Sequence, residues 1–158
     1  MKNADHLPVP AAATLWLQAL PETELVAKVA RSTDDTRLPP KARRGLGNYI
    51  QHLAKLRFPP VSRLILFGSH ARDDFRADSD VDLAIVLAGE PPGENAGSEA
   101  LRLTRVLTDA DIASFDETGI SVAPVVLWEG DLLRPEKHPR PSFYRNILAE
   151  GIRITPAL

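Results

Sequence analysis

Between Val61 and Leu87 the chain reads as an apolar block, VSRLILF, a largely polar stretch, GSHARDDFRADSD, and a second apolar block, VDLAIVL. Both apolar blocks are short and rich in branched side chains, which predicts two strands joined by a turn-rich connection. ISVAPVVLW predicts a third strand, and Pro124 within it argues for an edge or bulge position, because proline donates nothing to a ladder. Helical periodicity occupies the remainder. Leu46, Tyr49, Ile50 and Leu53 fall at i, i+3, i+4 and i+7 of KARRGLGNYIQHLAKLRF, a helix with one buried face that FPP stops. SEALRLTRVLTDADIASF predicts a helix capped by Ser98, striped by Leu103, Val106, Leu107 and Ala110, and ended by Gly119. SFYRNILAEG predicts a last helix ending at Gly151, with IRI adding a final strand, while PPGENAGS and RPEKHPRP predict loops.

The N-terminal third differs. AAATLWLQAL and PETELVAKVARS, the latter opened by Pro21, predict helices, and STDDTRLPP a polar break. Strands alternate with helices only from Val61 onward. The expected class is therefore α/β (α+β): a small mixed sheet flanked by helices, with an N-terminal helical extension over 1–58 and a core over 59–158. No repeat or low-complexity tract interrupts this division.

Charge and composition narrow the function classes. The net charge of −2 gives no global pull toward nucleic acid or anionic membrane. Without cysteine, disulfides and thiolate metal sites are excluded. Asp5, Pro8 and Pro10 spoil a signal peptide, and no apolar run approaches the ~20 residues of a membrane span. A cytoplasmic protein is expected. The basic residues Lys41, Arg43, Arg44, Lys55 and Arg57 read best as a solvated helix face, and the four scattered histidines as structural or surface groups.

The polar stretch carries the candidate chemistry. Gly68 lets another group approach the backbone, and the helix start after it offers N–H groups and the Ser69 hydroxyl to an anion such as phosphate. Taken alone, Gly-Ser reads better as an ordinary strand-to-helix turn with Ser69 as the helix cap. Asp80 and Asp82 are two apart, so on a strand they share one face, which Ala84 and Val86 continue inward. Such carboxylates repel unless a cation lies between them, and Mg²⁺ suits them because it takes few protein ligands beside phosphate oxygens and water. Taken alone, Asp-x-Asp is also a solvated strand mouth.

Together, Gly68-Ser69 with Ala71-Arg72 and Ser79-Asp80-Val81-Asp82-Leu83, each beside an apolar strand, resemble the Gly-Ser-x-Ala-Arg … Ser-Asp-x-Asp-Leu pattern of the DNA polymerase beta-like nucleotidyltransferases. The likeness is greatest to the small minimal nucleotidyltransferases, covers roughly Val61 to Ile154, and includes the antitoxins that pair with HEPN-domain toxins. It implies Mg²⁺-dependent transfer of a nucleoside monophosphate, AMP from ATP, to an acceptor hydroxyl, a toxin tyrosine among the candidates. Asp80 and Asp82 are then the catalytic metal ligands, and Gly68, Ser69, Arg72 and Ser79 bind the nucleotide. Nucleic acid is not expected as the main substrate, nor a membrane as a partner.

One departure stands out. The family places a third carboxylate on the next strand, where this chain has Ser121, a poor ligand and no base. Asp116 and Glu117 lie just upstream and are candidates to reach in. The alternatives are a catalytically degenerate module that neutralises a partner by contact, and an aminoglycoside-type adenylyltransferase.

Overall fold

The computed structural model describes residues 25, 28, 29, 31–33, 38–56, 59 and 61–154. The expected helix over AAATLWLQAL, most of the one over PETELVAKVARS, and the stop at Phe58 lie outside the described residues. Five strands form one mixed sheet in the order β1-β5-β2-β3-β4. They are β1 (Arg31–Ser32), β2 (Val61–Phe67), β3 (Val81–Leu87), β4 (Val122–Trp128) and β5 (Ile152–Arg153). The central pair β2–β3 is antiparallel, β4 joins β3 in parallel, β5 runs antiparallel to β2, and β1 lies parallel to β5. Among the described residues the helices are α1 (Pro40–Leu53), α2 (Ser69–Arg72), α3 (Ala96–Thr118), α4 (Glu129–Leu133) and α5 (Pro141–Glu150).

Strand alternation divides the core in two. Leu64 and Leu66 of β2 and Leu83, Ile85 and Leu87 of β3 face α1 and α3, where Leu46, Tyr49, Ile50, Leu53, Leu103 and Leu107 meet them. Ile65, Ala84 and Val86 face the opposite way and pack with Leu127, Leu132 and Ile147. Central strands buried on both faces explain why VSRLILF and VDLAIVL read as continuous apolar blocks rather than alternating ones. α1 comes close enough to the sheet layer that a Cβ on Gly45 would lie 2.5 Å from Ile120 Cβ.

β4 occupies the sheet edge, which accommodates Pro124. Gly119 ends α3 with φ 73°, a left-handed closure that glycine adopts without Cβ strain. The start of α3 departs from expectation. It begins at Ala96, two residues before Ser98, because the 3₁₀ turn Gly93–Asn95 runs directly into it and no side chain caps it. β1 replaces the last two residues of the helix expected over PETELVAKVARS, because pairing with β5 draws Arg31–Ser32 into the sheet just where the expected break begins. Its Arg31 guanidinium donates to the carbonyls of Ala71, at 3.1 Å, and of Glu150. The ends of α2 and α5, whose last carbonyls lack helical partners, are thereby tied to one side chain.

Candidate active site

The connection from β2 to β3 builds the site. β2 ends at Phe67, directly opposite Asp82 of β3, so the turn at Gly68 comes against the Asp82 side chain. Gly68 has φ 75° and ψ −153°, a region essentially reserved for glycine. A Cβ there would lie 2.1 Å from Asp82 Oδ2. The missing side chain thus makes room for the carboxylate. The Gly68 carbonyl accepts from the N–H groups of Ala71, at 3.1 Å, and Arg72, at 3.0 Å, opening α2. Glycine at the N-cap leaves the first-turn N–H groups without a side-chain acceptor, which is the arrangement an anion uses.

Asp80 is exposed and lies just before β3, while Asp82 is half-buried within it. Burial, then the neighbouring Asp80 charge, push the Asp82 carboxyl above its ordinary value, and His70 and Arg72 oppose them only in part. A bound cation would relieve both causes. His70 fixes the approach to this pair. Its ring is buried, stacks on Phe75 at 4.5 Å, and bonds the Asp80 carbonyl through Nδ1 at 3.1 Å. A carbonyl only accepts, so Nδ1 carries the proton. Burial lowers the His70 pKa, which favours the neutral ring.

The remaining expected nucleotide-binding residues hold local structure. Ser79 accepts the Arg76 N–H through Oγ at 2.7 Å and closes the turn before Asp80. Arg72 is exposed on α2 and pairs with Asp74 at 3.1 Å and Glu150 at 3.4 Å, so it stands near the turn in a surface network.

β4 contributes no carboxylate. Ala123, not an acid, lies in register beside Asp82. The Ser121 carbonyl accepts the Val81 N–H at 2.9 Å, while its hydroxyl donates to Asp111 Oδ2 of α3 at 3.4 Å. Asp111 Oδ1 also accepts the Val122 N–H at 2.8 Å. Glu117 is held by Asn48 at 2.7 Å and His52 at 3.0 Å, and Asp116 is exposed. Among the described residues no cluster of three or more histidine or acidic side chains could hold a metal ion. Two hard carboxylates, with the rest of the ligand shell left to phosphate and water, still fit the way Mg²⁺ is bound beside a nucleotide.

Residues 50–154 match the nucleotidyltransferase domain family, well over half of the chain. The chain belongs to that family. No protein of curated function matches it. Among solved structures, a Sulfolobus solfataricus protein named a "putative nucleotidyltransferase" is similar at 20% identity and a TM-score of 0.39, over 61% of this chain and 81% of the other. The family assignment rests on the domain match. A nucleotidyltransferase works on a nucleotide substrate, and the matched span contains Gly68, Ser69, Asp80 and Asp82 together. Sequence reasoning passed over His70 as one scattered histidine. Its signal was position, since it fills the variable place in the Gly-Ser-x-Ala-Arg run of this nucleotidyltransferase. No helix among the described residues is long and apolar enough to cross a membrane.

Proposed function

We propose that the protein is a Mg²⁺-dependent nucleotidyltransferase that transfers AMP from ATP to an acceptor hydroxyl. The observation carrying this reading is the seat of the Asp82 carboxylate, in the space that Gly68 leaves by lacking a side chain. Asp80 and Asp82 would hold the metal through carboxylate oxygens. Bound there, Mg²⁺ supplies the positive charge that offsets negative charge developing on the phosphates. The first-turn N–H groups of α2 and the Ser69 hydroxyl would hold the β- and γ-phosphates, with Arg72 alongside. His70 keeps the Asp80 backbone in place. The acceptor hydroxyl attacks the α-phosphorus, and pyrophosphate leaves. With no carboxylate offered by β4, the ionised carboxylates of Asp80 and Asp82 are the bases at hand to accept the hydroxyl proton. The resemblance to minimal nucleotidyltransferases favours a tyrosine of a HEPN-type toxin as acceptor, an antitoxin role. An aminoglycoside hydroxyl is the other enzymatic alternative.

Ala123 beside Asp82, and the Ser121 hydroxyl turned to Asp111, favour a second reading: a degenerate module that binds a partner without modifying it. Labelled ATP and Mg²⁺ separate the two. The enzyme should pass label to a HEPN-type partner or an aminoglycoside, and Asp80→Asn with Asp82→Asn should reduce transfer at least a hundredfold. Tight binding of the partner with no transfer by the wild type would instead establish the contact mechanism.

A further inference from the structure

Beside the carboxylates lies an apolar surface that the phosphate and metal roles leave unused. Asp82 is flanked in register by Phe67 on β2 and Ala123 on β4. Paired residues of neighbouring strands point to the same face, so both side chains border the carboxylate on its own side of the sheet. Val125 continues that face along β4 and, like Ala123, is only half-buried. Phe143 of α5 stands over the other border. Its ring meets Phe67 edge-on at 6.0 Å and Tyr144 edge-on at 5.6 Å, yet the residue remains 39% exposed. Tyr144 is backed in turn by the His138 ring at 4.2 Å, and His138 by Asp131 at 3.2 Å. An aromatic ring held by packed neighbours but left open to solvent is prepared to stack on a planar ligand.

We infer that this apolar apron, with Phe143 as its exposed ring, receives the nucleobase of the triphosphate. The inference rests on the proposed nucleotidyl-transfer reading, which puts the phosphates at Gly68 and Ser69 and the metal at Asp80 and Asp82. Gly68 follows Phe67 directly, so a nucleoside leaving the α-phosphate along the Asp82 face meets these rings. The apron carries no charge. That suits the faces of a base.

The test is titration calorimetry of the full chain with Mg²⁺, using ATP and, separately, tripolyphosphate, which has the phosphates and no base. Phe143→Leu keeps an apolar group against Phe67 and removes the ring. The wild type should bind ATP more tightly than tripolyphosphate, and Phe143→Leu should lose roughly tenfold for ATP alone. Phe143→Trp should retain wild-type affinity or exceed it. Unchanged ATP affinity in Phe143→Leu, or an equal loss for both ligands, overturns the inference. So does a wild type that binds tripolyphosphate as tightly as ATP, although the phosphate and metal site then stands. If the wild type binds neither ligand, the phosphate and metal site itself falls, and the base site with it.

Discussion

Gly68→Ala would set a methyl group against Asp82 Oδ2 while holding alanine at φ 75°, so the variant meets steric and backbone penalties at one atom. Strain of that backbone kind costs of order 1–3 kcal/mol. The carboxylate must also swing out of its seat. The expected outcome is a lowered thermal midpoint together with transfer reduced at least a hundredfold, read by melting and by the labelled-ATP assay. Gly89→Ala is the control. Gly89 also has positive φ, at 83°, but a Cβ there meets nothing within 4 Å. It should share the loss of stability and spare the activity. A Gly89 variant as inactive as the Gly68 one would refute the steric argument. At this scale the site was half legible. Gly-Ser and Asp-x-Asp announce themselves by residue type and spacing. The place of Ala123 beside Asp82 does not, because strand register is set by partners distant in the chain.

Elements join through groups that local patterns cannot pair. Tyr49, predicted on the buried stripe of α1, reaches across to α3, where its hydroxyl donates to the Leu107 carbonyl at 3.4 Å. Burial, reinforced by the negative charge of Asp111, holds this phenol well above its ordinary value of 10.0. The sign follows directly. Above pH 10 an unfolded chain releases the phenolic proton and the folded one resists, so stability is full below that point and is lost as pH rises beyond it. Tyr49→Phe should change stability at pH 7 by no more than ~1 kcal/mol, since the hydrogen bond is long. Between pH 10 and 12 it should flatten the decline seen in urea unfolding. Parallel slopes for the two proteins would mean that Tyr49 ionises freely. The strands β2, β3 and β4 and the striped helix α1 were readable because branched runs and a 3.6-residue period are local signals. The two-residue β1 was not, since only its distant partner β5 makes Arg31–Ser32 a strand. α4 was missed because five residues carry too little periodicity to register.

For the whole molecule, the outer margin of β4 is the sheet edge nearest the carboxylates. The Ser121 carbonyl points inward to Val81, and backbone groups alternate along a strand, so the N–H positions of residues 122 and 124 point outward. The first is occupied by the Asp111 carboxylate, and the second, at Pro124, has no hydrogen to give. Pro124→Val should restore a donor there without lowering the thermal midpoint, and should raise light scattering during prolonged heating. A variant that scatters no more than the wild type would show that the margin was already closed by other means. In the native chain residues 122 and 124 offer a visiting strand carbonyl acceptors on this margin but no N–H donor. In the proposed transfer, a protein acceptor would therefore find only half a ladder beside the carboxylates, which favours a hydroxyl presented from a loop or a helix end over one carried in on a sixth strand.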